Sequence, residues 1–163
     1  QNFTKENVKK LIQAQASSIM HLATHGQFGS QAEDTFVITY GDRLNILNLK
    51  SLIEIAEVTH QTPIELLVLS ACETARGDDR AVLGLAGVAS RAGARSVLAS
   101  LWRVSDAATA KFMERFYIEL LKNGKTKAQA LRAAQIYMIR EKENNFGSHP
   151  WFWGSFILIG NWV

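Results

Sequence analysis

The chain holds a single cysteine, Cys72, inside "VLSACETARGDD". Its sulfur is the strongest nucleophile the sequence offers, but a free thiol with a pKa of ~8.5 is mostly protonated at neutral pH. A nearby imidazole takes or orients that proton and later returns one to a leaving amine. His25, which closes "SIMHLATH" 47 residues upstream, is the candidate base. A tetrahedral intermediate also needs donors for its oxyanion. The backbone N–H groups of Gly26 and Cys72 are the candidates, since a residue without a side chain lets backbone approach a substrate closely. The bland alternative is a buried, inert thiol, because free cysteine is among the most buried residue types.

The elements around these residues favour the chemical reading. "SIMHLATH", "IELLVLSAC", "SVLASLW" and "SFILIG" read as four nearly continuous apolar strands. Thr4 caps a short helix over "TKENVKKLIQAQ", and Asn48 is expected to cap a second that closes before Pro63. "TFVITYGDRLNIL" reads as a hairpin turning at Gly41-Asp42. "VLGLAGVASRAGA" reads as a small-residue helix stopping at Gly93. Ser105 caps a long helix with Thr109, Phe112, Met113, Phe116, Leu120 and Leu121 on its inner face. Thr126 and Gln129 form a capping box for the last helix, which turns Ala130, Leu131, Ala134, Tyr137 and Met138 inward. Strands apolar on both faces and separated by helices imply an α/β fold with a mostly parallel sheet covered on both sides. Chemistry in such folds gathers outside the carboxyl ends of the strands. His25, Cys72 and Asp106, which follows the third strand in "LWRVSD", are therefore expected on one rim.

Composition narrows the function. Net charge is +3, and no block of five or six basic residues occurs, so direct nucleic-acid binding is not expected. No apolar run reaches the ~18 residues that cross a membrane. One cysteine excludes an internal disulfide framework and fits a reducing compartment, so a cytoplasmic location is expected. The glycines of the small-residue helix do not form G-x-G-x-x-G, and no cofactor is expected. His21 and His25 lack a third ligand, so no metal is expected, and His21 reads instead as a hydrogen-bonded core residue. His60 reads as exposed near a helix end, and His149 as part of a turn before Pro150.

"HLATHG" paired with "LSACETA" resembles the caspase-like cysteine peptidases, in which a histidine followed by glycine ends one strand and a cysteine preceded by alanine ends the next. Within that group the chain resembles the CHAT family, caspase-like domains often attached to tetratricopeptide repeats. "GLAGVASRAGARSVLASLWRVSDAATAKFM" and "HPWFWGSFILIG" carry the same likeness, which runs from about His21 to Gly160. The resemblance implies a cysteine endopeptidase with a His25–Cys72 dyad, acting on one or a few protein substrates. It also implies regulation by a tetratricopeptide-repeat or other sensor region in the same or a partner chain. It places the first strand of the sheet upstream of residue 1, so that these 163 residues are one caspase-like domain cut from a longer protein. The related separases carry an acidic residue in a similar leucine-tryptophan stretch that lines the pocket for a basic P1 side chain. By that likeness Asp106 is the candidate substrate-binding residue, although an aspartate in a first helical turn is also favourable through the dipole alone. Ser70-Ala71-Cys72 differs from the caspase Gln-Ala-Cys, so caspase specificity is not expected. The competing reading is a catalytically silent module that keeps the fold and works through partners.

Overall fold

The computed structural model describes residues 3–28, 36–70, 73–74, 93–140 and 149–163. Its elements are α1 (Lys5–Ala14), β1 (Ile19–Leu22), β2 (Gly26–Phe28), β3 (Phe36–Thr39), β4 (Asp42–Asn45), α2 (Ile46–His60), β5 (Leu66–Leu69), β6 (Glu73–Thr74), β7 (Ser96–Ser100), α3 (Asp106–Tyr117), α4 (Lys127–Arg140) and β8 (Phe156–Gly160). A π-turn over Ile118–Lys122 follows α3, and a 3₁₀ turn over Pro150–Phe152 precedes β8.

The main sheet has the order β1-β5-β7-β8, with β1, β5 and β7 parallel and β8 antiparallel to β7. Its central strands are buried throughout because both faces are covered. Leu67, Leu69, Val97 and Ala99 face a core with Leu52, Ile53 and Ala56 of α2, onto which Val8 and Ile12 of α1 also pack. Leu66, Val68 and Leu98 face the opposite core with Phe112 and Phe116 of α3, Ala134 and Met138 of α4, and Phe156. The alternation follows from the two-residue period of a strand. This is the α/β architecture expected of a caspase-like fold.

A second sheet of order β4-β3-β2-β6 sits beside it. The hairpin β3–β4 was legible in the sequence, but its turn is Tyr40-Gly41, because Thr39 pairs with Asp42. Gly41 takes a left-handed φ of 79° while Tyr40 before it keeps a negative φ, the type II pattern, in which glycine is favoured at the second central position.

The caps at Thr4, Ser105 and the Thr126–Gln129 box are present. That of α2 is Asn45 rather than Asn48, and Asn45 Oδ1 accepts the Asn48 N–H at 2.9 Å. The helix begins three residues early because Leu47 is left exposed, so apolar periodicity does not mark the first turn. Leu121 is also exposed at 63%, since the π-turn rotates it off the inner face of α3. The small-residue helix lies outside the described residues apart from its end, where Gly93 has φ 83°.

Candidate active site

The parallel strands β1, β5 and β7 put their carboxyl ends on one edge of the main sheet. β1 ends at Leu22, not at His25 as its apolar run suggested. The chain crosses Ala23–His25 and enters the second sheet at Gly26. Polar Thr24 and His25 serve this crossing. Thr24 Oγ1 donates to the Ile38 carbonyl at 2.7 Å, and the Ile38 N–H donates to the His25 carbonyl at 2.7 Å. The backbone of His25 is thereby stapled to β3 while its side chain stays exposed.

β5 follows a matching course. Ser70 N–H donates to the Leu22 carbonyl at 3.4 Å as the strand leaves the main sheet. Immediately beyond Ala71-Cys72, the chain pairs in parallel with β2, Glu73 opposite Gln27 and Thr74 opposite Phe28. Cys72 lies outside the described residues. The described residues on either side of it, Ser70 and Glu73, are bound to Leu22 and Gln27, which lie on either side of His25.

Gly26 is buried and opens β2. Its peptide with His25 is trans, so its N–H points opposite to the His25 carbonyl. That carbonyl faces β3, and the Gly26 amide therefore faces the side on which β6 runs.

Three further polar groups meet behind the crossing. His21 Nε2 lies 2.8 Å from Ser70 Oγ, and His21 Nδ1 lies 3.0 Å from the Tyr117 hydroxyl. His21 is hydrogen-bonded as expected, but it stands on edge strand β1 with its ring partly in solvent rather than in the core. Partial burial still lowers its pKa by desolvation, and burial pushes Tyr117 up to about 12. The imidazole and the phenol are both neutral at pH 7. The sequence reading singled out neither Ser70 nor Tyr117 for a role. They stand 49 and 96 residues from His21, beyond any local spacing rule. Ser70 had one signal, a polar residue ending a run of apolar strand positions.

Asp106 is exposed as the first residue of α3, beyond the carboxyl end of β7. Ser105 supplies the cap by accepting the Ala108 N–H at 3.4 Å. Among the described residues, Arg103 and Asp106 form no ion pair with each other. Trp102 Nε1 donates to the Trp151 carbonyl at 2.8 Å, and the two rings lie 5.6 Å apart beside the same edge. His60, only half-exposed, bonds the Ile12 carbonyl through Nε2 at 2.6 Å, and His149 Nδ1 accepts the Trp151 N–H at 3.2 Å. Both histidines tie backbone together, and neither bonds a residue of the crossing in these contacts. Among the described residues, no group of three or more metal-ligating side chains occurs, and no helix is long and apolar enough to cross a membrane.

Comparison with known proteins adds a family to this geometry. Residues 1–161 match the family model described as the CHAT domain. Tetratricopeptide repeat protein 28 of Homo sapiens is 34% identical over 103 residues, covering 62% of this chain and 4% of that protein. Its namesake in Mus musculus is 34% identical over 100 residues, covering 60% of this chain and 4% of that protein. The matched part of this chain thus spans only a small share of the length of these relatives.

Proposed function

The chain belongs to the CHAT domain family, and so to the caspase-like peptidases, and from that premise we propose that it is a cysteine endopeptidase with His25 and Cys72 as its catalytic dyad. The observation that carries the reading is the paired crossing. Two chain segments leave the main sheet side by side and join the second sheet side by side, one carrying His25 and the other carrying Cys72 between bound neighbours. Proximity catalysis needs a nucleophile and a base within reach of each other, and the pairing of the described residues that flank His25 and Cys72 supports that reading.

In the reaction, the Cys72 thiol gives its proton to His25, and the thiolate attacks the scissile carbonyl carbon. The carbonyl π electrons move to oxygen, where the Gly26 and Cys72 amides stabilise the charge. Collapse breaks the C–N bond, and protonated His25 donates its proton to the leaving amine. A water molecule, deprotonated by His25, then attacks the thioester. The acid product leaves, and the proton returns to sulfur. The exposed Asp106 carboxylate is proposed to receive a basic P1 side chain by charge pairing. The repeat proteins among the relatives support a further element of the proposal: a tetratricopeptide-repeat region, in the same or a partner chain, controls access to protein substrates.

The test uses the single cysteine. Iodoacetamide alkylation followed by intact mass over about pH 5 to 10 reports Cys72 alone. The expected result is an apparent thiol pKa well below ~8.5 that rises in His25→Ala. A thiol that reacts only in denaturant, or a profile that His25→Ala leaves unchanged, would overturn the dyad and favour the silent module.

A further inference from the structure

The bond that ends the β1–β5 ladder is a weak one. Ser70 N–H reaches the Leu22 carbonyl at 3.4 Å, beyond the ~2.7–3.2 Å of a well-formed N–H···O bond. Two side chains take over at this point. The 2.8 Å contact between His21 Nε2 and Ser70 Oγ joins the same two strands across the sheet face. The 3.0 Å contact between His21 Nδ1 and the Tyr117 hydroxyl ties that pair to the last residue of α3. Tyr117 is itself held by its neighbour Phe116, which is fully buried and meets it edge-on with ring centroids 5.5 Å apart. Ser70 is buried, so its hydroxyl exchanges little with water and the contact persists.

We propose that His21 is a positioning residue: braced by Tyr117, it pins Ser70 and so fixes the point at which the chain leaves β5, two residues before Cys72 in sequence. The inference rests on the His25–Cys72 reading and goes beyond it in naming what holds the end of β5. His21 does not act as a base in this role, because both its ring nitrogens are occupied by hydroxyl partners. The neutral state of the ring and the phenol suits a static brace, since neither partner changes charge near pH 7. Where a reaction depends on proximity, a displacement of ~1 Å is enough to lower the rate by up to about a hundredfold, so a shift of Ser70, two residues before Cys72 in sequence, is expected to register in the thiol chemistry.

The same alkylation assay tests the pin in Ser70→Ala and Tyr117→Phe, with thermal melting to check the fold. Ser70→Ala is expected to slow alkylation at pH 7 about tenfold and to move the apparent thiol pKa toward the free value of ~8.5. Tyr117→Phe shifts both in the same direction by less, and Ser70→Thr, which keeps the hydroxyl, restores them. In the Ser70→Ala, His25→Ala double variant the effect is no larger than in His25→Ala alone, because the pin acts through the dyad. A Ser70→Ala profile that superimposes on the parent, or an effect that adds in full to that of His25→Ala, overturns the positioning role and leaves the dyad standing. A parent profile already identical to His25→Ala overturns the dyad and this inference with it. Should Ser70→Ala fail to fold, Tyr117→Phe carries the test, since it leaves the His21–Ser70 contact in place.

Discussion

The proposed dyad rests on residue type, since Cys72 itself lies outside the described residues. A lone cysteine and a histidine followed by glycine were legible because few other side chains can supply nucleophile, base and close backbone approach. The place of His25 was misread by three residues, since "SIMHLATH" carries no breaker to show that the strand stops at Leu22. The change of sheet that aims the Gly26 amide depends on pairing with Val37 and Ile38, which local sequence does not encode. Asp106 remains a residue with two good explanations, helix-dipole partner and P1 acceptor. Its exposure at the start of α3 suits both. They separate by substrate: Asp106→Asn is expected to lower kcat/KM for peptides with Arg or Lys at P1 about tenfold or more, the loss of one charge-assisted hydrogen bond. Peptides with an uncharged P1 residue serve as the control and are expected to change little. Equal effects on both peptide sets would return Asp106 to the dipole role.

At the scale of elements, the caps at Thr4, Ser105 and Thr126 were legible, but that at Asn45 was not, because its helix opens on a turn that leaves Leu47 exposed. The π-turn after α3 was not legible, because Arg115 and Asn123 keep the i,i+4 spacing to Glu119 of an ordinary helix. There Glu119, 1% exposed, pairs with Lys125 at 2.6 Å and with Arg115, and accepts from Asn123 Nδ2 at 3.0 Å. The Asn123 hydrogen bond, then the Lys125 bond and the nearby cations, hold the Glu119 carboxyl at about 2, against an ordinary value of 4.5. A lowered carboxyl pKa stabilises the fold above the unfolded value, and that contribution disappears as pH falls through the folded one. Glu119→Gln is therefore expected to lower the thermal midpoint by several degrees at pH 7, with the gap to the parent closing between about pH 5 and pH 2. The loss at neutral pH is sharpened by Arg115, whose buried Nε already lacks a partner and whose guanidinium stacks 5.3 Å from the Tyr137 ring. A gap that persists unchanged at pH 2 would mean that packing of the π-turn, not the charge, is what the glutamate supplies.

For the whole molecule, the two sheets differ in how firmly they are held, and the candidate site bridges them. The main sheet lies between two cores, and Leu66–Leu69 with Ser96–Ser100 are buried without exception. The second sheet contributes Val37, Thr39 and Leu44 to the interior but leaves Ile38 46% and Tyr40 67% exposed. Local opening free energy follows buried contact, so the second sheet is expected to open more readily. The apolar strands made the main sheet visible in the sequence. The second was seen only as a hairpin, because β2 and β6, three and two residues long, are too short to form a pattern. His25 and Gly26 thus hang from the less stable sheet, while Ser70 belongs to the more stable one. A ligand bonded to both sides adds free energy to the state in which the second sheet is closed, and so shifts the population toward it. Amide hydrogen exchange should show residues 36–45 exchanging at least about tenfold faster than residues 66–69 and 97–100 in the free protein. After covalent capture of Cys72 by a peptidyl chloromethyl ketone with Arg at P1, protection should rise across residues 26–28 and 36–38 and stay level in β7. Iodoacetamide, which caps the thiol without spanning the rim, should produce no such rise. If both reagents slow exchange equally, the second sheet responds to modification of the thiol itself, and the substrate path does not run between the two sheets.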